Sequence, residues 1–412
     1  MVEEKLEKSN YRYIVLIAGI AIQLCAGTLY MWSVYNKAVA THLSWDPELA
    51  KFTVPFMLAC FVLGIIIGGR IMDKIGPKKI CIIGSLIFGI GIFSSAFVTS
   101  NFPELIYISY GIIGGIGVGI VYTCTVSPIQ KWFFDKKGFA TGLMVGAFGL
   151  SLVVFTLVAD YLLRTVGVPS TFMIIGGSFL VVCVLASLLI SNPPAGYVIP
   201  KTSIAATQKQ FTPKEMVNTK AFYLLLFSIF FITSAYFVLN PQFMSLAIDR
   251  GVSPSAALAV VMFTGICSAG GRISITWMSD RSGRIPAMIL VITSTLTGVL
   301  ILMFSGNTAA ASILYAVSLA CVAYGYGGVA GMYAVMTSDN FGTKNVGSNY
   351  GLVLIGLGVS APLFVLLSYR FPATETNIIF YICALACVAT LVCIILLRKF
   401  AIANYGKKKE SA

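Results

Sequence analysis

Apolar runs long enough to cross a lipid bilayer recur from residue 13 to residue 397, and they leave few folds open to this chain. They fall at 13–35, 52–72, 80–99, 103–128, 139–163, 171–190, 221–246, 256–279, 286–305, 309–336, 346–368 and 376–397. Each is near or above the ~17–25 residues that a membrane-spanning helix needs. The expected fold is an all-α integral membrane protein with twelve transmembrane helices. Composition agrees: 58% of residues are hydrophobic and 10% charged, against about 25% charged in soluble domains.

One residue breaks the apolar pattern. Arg272 lies inside the eighth run, AALAVVMFTGICSAGGRISITWMS, eight residues before Asp280. At about 1.5 Å per residue that is roughly 12 Å of helix, in a hydrocarbon core roughly 30 Å thick. An unpaired Arg at such depth costs about 2.5–3.5 kcal/mol on insertion scales, so the sequence predicts a compensating partner, and a buried anion is the natural one. Thr264, Ser268, Arg272 and Thr276 follow at i+4 with Ser279 near, a polar stripe on an otherwise apolar helix. A guanidinium holds a carboxylate through two parallel hydrogen bonds.

Lys and Arg concentrate in alternate loops. Lys74, Lys78, Lys79, Lys131, Lys136, Lys137, Arg281, Arg284 and Lys407-Lys408-Lys409 fall on one side; Lys37, Lys51, Arg164, Arg250 and Arg370 fall on the other. The positive-inside rule then places the richer side, and both termini, in the cytoplasm. This asymmetry accounts for the net charge of +13. A nucleic-acid partner would need a basic patch on a folded domain, and none is expected. The partner is the bilayer of the cell (inner or plasma) membrane, with the protein acting as a functional monomer. The short N-terminal stretch MVEEKLEKSNYR does not read as a cleaved signal peptide. The ten cysteines lie in apolar runs with no CxxC pair or Cys/His cluster, so they read as packing residues, with no metal site.

The chain divides in two. A polar stretch rich in Pro, Thr, Lys and Gln separates the sixth and seventh runs. The expected domains are a six-helix half at 1–190, a cytoplasmic linker at 191–220, a second six-helix half at 221–400 and a basic tail at 401–412. Landmarks recur half a chain apart: GRIMDKIGPKK (Gly69-Lys79) against TWMSDRSGR (Thr276-Arg284), Gly138 against Gly347, and Tyr30 against Tyr236. Two parallel six-helix repeats with a site at their interface are a transporter plan. No G-x-x-x-x-G-K-[ST] sequence is present, which points to a secondary carrier. The single His and the lack of paired acids at depth argue against an enzyme: no catalytic residues and no cofactor are expected.

GRIMDKIGPKK resembles the cytoplasmic signature of the major facilitator superfamily, through Gly69, Asp73, Lys74, Gly76, Lys78 and Lys79. Asp280, Arg281, Gly283 and Arg284 supply an approximate second copy, with Thr276 where the pattern has Gly. An Asp at one helix end can meet the positive N-terminus of another, so these turns are the expected cytoplasmic gate. GTLYMWSVY, GVGIVY, KWFFDKKGFATG, GGR, SDNFGT and SNYG are similar to the oxalate/formate antiporter family, related to animal monocarboxylate carriers. The resemblance implies a major facilitator fold of two pseudo-symmetric bundles, and it assigns substrate carboxylate to Arg272. It also implies cavity roles for Tyr30, Tyr122 and Tyr326, with Leu29 and Ala330 at two further cavity positions. The oxalate carriers use a Lys in helix 11; here that position is Leu357, and one central cation suits a monocarboxylate of the lactate, pyruvate, acetate or formate class.

Gln23 shares a face with Tyr30, and Tyr333 shares one with Tyr326, giving further candidate walls; Ser268 completes the substrate-binding set. Proton symport is the expected coupling, with oxalate/formate-type exchange as the alternative. Animal carriers have an Asp one turn before the Arg, where Ser268 stands here, and a Lys that Lys37 resembles. Lys37 is therefore the candidate proton carrier. His42 reads as a surface residue of an outer loop.

Overall fold

The computed structural model describes residues 2–50, 52–194, 197, 209–240, 243, 246, 253–304, 311–371 and 377–402. Among these, secondary structure is helical throughout. The helices are α1 (Val2–Ala26), α2 (Trp32–His42), α3 (Pro47–Ala50), α4 (Thr53–Ile75), α5 (Pro77–Ser94), α6 (Gly115–Trp132), α7 (Lys137–Ser187), α8 (Pro213–Val217), α9 (Lys220–Ile232), α10 (Ser234–Leu239), α11 (Pro254–Ser282), α12 (Arg284–Phe304), α13 (Ala311–Phe341), α14 (Val346–Val353), α15 (Ile355–Arg370) and α16 (Ile378–Phe400). Ten helical segments among the described residues are long and apolar enough to cross a membrane. This tally departs from the twelve runs at two places. The first is α7, where the helical path breaks at Gly167 (φ 78, ψ 177) ahead of Pro169 and two helices meet at a turn. The second is α11, which has the length to cross and part of whose side chains lie outside the described residues.

The helices before residue 190 pack with one another, as do those after residue 220, and the two groups meet along α7 with α11 and along α4 with α14. Large apolar side chains such as Leu63, Ile67, Leu185 and Leu385 stay exposed, as they must if hydrocarbon rather than water surrounds the bundle. Three helical paths are interrupted near mid-length: by a 3₁₀ turn at Gly27–Met31, at Thr233 between α9 and α10, and at Leu354 between α14 and α15. Such breaks free backbone groups where a site is built between two bundles.

Glycine sets how closely the two groups approach. Gly138, Gly142 and Gly146 recur every fourth residue on α7 and face α11. A Cβ on Gly142 would meet the Thr276 hydroxyl and the Arg272 carbonyl oxygen. Small residues at this spacing allow backbones to touch. Gly142→Val should therefore push α11 off α7 at an overpacking cost of about 1–3 kcal/mol. Transport in reconstituted vesicles should fall at least tenfold, about 1.4 kcal/mol on the rate. Gly270→Ala is the control, because nothing lies within 4 Å of the added Cβ.

Candidate functional site

Arg272 is 2% exposed. Its helix is amphipathic in polarity: Thr264, Ser268, Thr276 and Ser279 are buried with it, while Phe263, Ile266 and Trp277 face outward. Because α11 lies against the glycines of α7, Arg272 reaches across, and its Nη1 donates to the Val145 carbonyl at 3.0 Å. Its Cζ stands 5.7 Å from the Phe148 ring centroid. A Cβ on Gly149 would sit 3.1–3.3 Å from the guanidinium group and its Cδ. The cation is thus held by a carbonyl, an aromatic face and a backbone, all from α7.

Aromatic rings continue from there. Tyr122 packs edge-on against Phe148 at 5.4 Å and against Phe61 at 5.4 Å. Its hydroxyl stands 3.5 Å from that of Tyr350, which donates to the Ala330 carbonyl at 3.1 Å. Tyr350 lies within the electrostatic reach of Arg272, Tyr122 and Tyr326. Tyr326 stacks on Tyr236 with centroids 3.7 Å apart and planes 3° from parallel. Gln23 donates to Thr125 Oγ1 at 2.8 Å, on the helix that carries Tyr122.

The remaining sequence candidates sit as follows. Ser268 is buried one turn before Arg272, and its backbone packs on Gly327. Tyr333 is buried with its hydroxyl on Ser228 Oγ at 2.8 Å, a contact between α13 and α9. Tyr30 belongs to the 3₁₀ turn, and its side chain lies outside the described residues. Leu357 is buried at the position where the oxalate carriers have Lys. Lys37 is exposed on α2, and His42 is exposed at its end.

At one end of the bundle the two motif copies meet the opposite group. Gly76 (φ 90, ψ 162) ends α4 and Gly283 (φ 95, ψ 164) ends α11, in nearly the same conformation, one that side chains rarely adopt. Asp73 Oδ2 accepts from Ser348 N at 2.8 Å and Ser348 Oγ at 2.7 Å, at the N-terminus of α14. Gly69 packs directly on Gly347. Asp280 accepts from Gly138 N at 3.0 Å and Phe139 N at 2.9 Å, at the N-terminus of α7. Each carboxylate therefore meets the positive end of a helix in the other group. Arg284 donates to Asp280 at 2.7 Å and to Asp339 at 2.8 Å, and Lys137 donates to Asp339 at 3.1 Å. Lys74 is exposed, and Arg281 lies 4.0 Å over the Trp277 ring.

Three participants escaped the sequence reading: Tyr350, Asp339 and the α7 glycine stripe. SNYG and SDNFGT held the first two in view, and the spacing of Gly138, Gly142 and Gly146 could have given the third.

A membrane bundle whose two helix groups meet beside a buried arginine has the architecture of a membrane transporter. The chain belongs to the Major Facilitator Superfamily, whose family model matches residues 15–365. It is 27% identical over 362 residues to the uncharacterized MFS-type transporter YhjX of Escherichia coli (strain K12), covering 86% of this chain and 87% of that protein. It is 26% identical over 349 residues to the oxalate:formate antiporter of Oxalobacter formigenes, covering 83% and 80%. Proteins named monocarboxylate transporters also match, at lower identity. Among solved structures, a bacterial homologue of the iron transporter ferroportin in an outward-facing state superposes with a TM-score of 0.75 at 12% identity, covering 94% of this chain and 99% of that one. That likeness is one of fold alone.

Proposed function

We propose that this protein carries a small monocarboxylate of the lactate, pyruvate, acetate or formate class across the membrane, with Arg272 binding the carboxylate. The observation that carries the reading is a buried guanidinium between the two helix groups, beside Phe148, with Tyr122 packed on that ring and Tyr350 in contact with Tyr122. The apolar Leu357, standing where a second cation would serve a dianion, supports a single carboxylate. Relatives named for monocarboxylates and for oxalate–formate exchange support a small carboxylate as substrate. The substrate anion offsets the charge of Arg272, and the occupied pocket closes more readily than the empty one.

In this reading the chain forms twelve spans in two six-helix halves, with the motif turns and both termini cytoplasmic. The halves rock about the site, and Asp73, Asp280, Arg284 and Asp339 hold the inner gate. Transport runs as proton symport, with Lys37 the candidate proton carrier in a closed outer vestibule. Anion exchange is the second reading, favoured by Ser268, a group that does not titrate, one turn before Arg272. Uptake of radiolabelled L-lactate into proteoliposomes separates them. Accumulation driven by an inward proton gradient supports symport; uptake only into vesicles preloaded with formate or another carboxylate supports exchange. Inhibition by oxalate stronger than by pyruvate or formate sinks the monocarboxylate assignment.

A further inference from the structure

Tyr350 ties the binding site to the gate. It lies two residues beyond Ser348, which holds Asp73, and between Gly347 and Gly351, both of which pack on α4. Tyr350 is 1% exposed, and its hydroxyl meets that of Tyr122. Its own hydroxyl hydrogen is committed to the Ala330 carbonyl at 3.1 Å. Either phenol can donate in the 3.5 Å contact between them, and the bond from Tyr350 to Ala330 favours Tyr122 as the donor and Tyr350 as the acceptor. A hydroxyl carries one hydrogen. The Tyr122 hydrogen can serve Tyr350 in the other helix group, or a carboxylate oxygen on Arg272, but not both at full strength. At 3.5 Å the present bond is long and weak, so a charged acceptor, which forms a shorter and stronger bond, outcompetes it.

We propose that Tyr350 is a positioning residue that reports occupancy of the Arg272 site to the gate, through exchange of the Tyr122 hydrogen bond. With the site empty, Tyr122 donates to Tyr350 and holds α14 against the first helix group. With an anion bound, Tyr122 turns its hydrogen to the carboxylate, and α14 loses that tie. Its remaining hold on α4 is the Asp73–Ser348 pair and the glycine contacts. No proton changes oxygen; only the acceptor changes. The result is a carrier that opens at this end more readily when loaded. The inference rests on the carboxylate reading of Arg272.

Tyr350→Phe tests it together with Tyr122→Phe: both remove the contact between the two phenols, and only Tyr350→Phe also removes the bond to the Ala330 carbonyl. In proteoliposomes, the ratio of net lactate efflux to lactate–lactate exchange should rise roughly two- to threefold, the scale of a weak hydrogen bond. Hydrogen–deuterium exchange supplies a second readout that needs no substrate. Amides of residues 69–76 and 346–351 should exchange several-fold faster in the empty variant than in the empty wild type, while those of α16 stay unchanged. Tyr122→Phe should loosen the same segments, because it removes the donor, and should also raise KM. An unchanged flux ratio with unchanged gate amides in Tyr350→Phe overturns the proposal. Faster exchange spread equally over α16 also overturns it, by making Tyr350 merely structural. If the wild type moves no monocarboxylate, the function reading fails, and the amide comparison still decides whether Tyr350 holds the gate.

Discussion

Arg272→Lys is expected to retain a positive charge and yet lose most transport. A guanidinium presents a planar fork that matches a carboxylate with two parallel hydrogen bonds, while an ammonium is a compact, strongly hydrated point charge. Lysine would also give up the fit over Phe148 and the reach to the Val145 carbonyl. Losing one charge-assisted hydrogen bond of roughly 1.5–3 kcal/mol predicts a fall in kcat/KM of about ten- to a hundredfold for Arg272→Lys. Arg272→Ala should leave no uptake above background. Arg272→Ala should insert and purify like the wild type, because removing a buried charge relieves an insertion cost, and Arg272→Lys should do so because the charge at that depth is unchanged. Normal kinetics in Arg272→Lys would mean that the site supplies charge without the bidentate geometry argued here.

Asp339→Ala is expected to be the most damaging change outside the site. Asp339 bridges Lys137 from the first helix group and Arg284 from the second at 3.1 and 2.8 Å. Lys137 is 5% exposed and Arg284 13% exposed in their side chains. Removing the carboxylate takes away the anion between Lys137 and Arg284 and leaves Arg284 with Asp280 alone, in a place with little water. Loss of one partner from a fully buried pair costs about 3–5 kcal/mol; Asp339 remains one-fifth exposed, so roughly 2–3 kcal/mol is the discounted expectation. That penalty falls on the state in which this end is closed. The variant should unfold at lower temperature and should label more readily at cysteines introduced behind the gate. Lys137→Met with Asp339→Asn, which removes both charges that span the groups, should recover part of the loss. Thermal unfolding and labelling rates equal to the wild type in Asp339→Ala would show that the bridge holds nothing.

Local patterns in the sequence make much of this legible. The length and apolarity of the runs announce membrane helices. The i+4 recurrence of Thr264, Ser268, Arg272 and Thr276 announces a buried polar stripe, and all four residues are buried. The repeated Gly76 and Gly283 turns read as copies, and they adopt nearly one backbone conformation. What stayed hidden is pairing over long separations. Nothing in the periodicity of α13 says that Asp339 meets Lys137, or that Tyr350 meets Tyr122 in the other helix group. Tyr326 and Tyr333 share a helix face in sequence and meet the same interrupted path, yet one stacks on Tyr236 beyond the break at Thr233 and the other bonds Ser228 before it, partners that no spacing reveals. The carbonyl that supports Arg272 was invisible for a simpler reason: any residue could have provided it.

The central claim is that Arg272 is the carboxylate site. Its most direct test is uptake of radiolabelled L-lactate into proteoliposomes containing wild type or Arg272→Ala at equal folded protein, under an inward proton gradient and, separately, with internal carboxylate. Saturable uptake by the wild type under one of these conditions, absent from the variant under both, is the result predicted here. Equal uptake by the two proteins would contradict the account and move the substrate site elsewhere in the bundle.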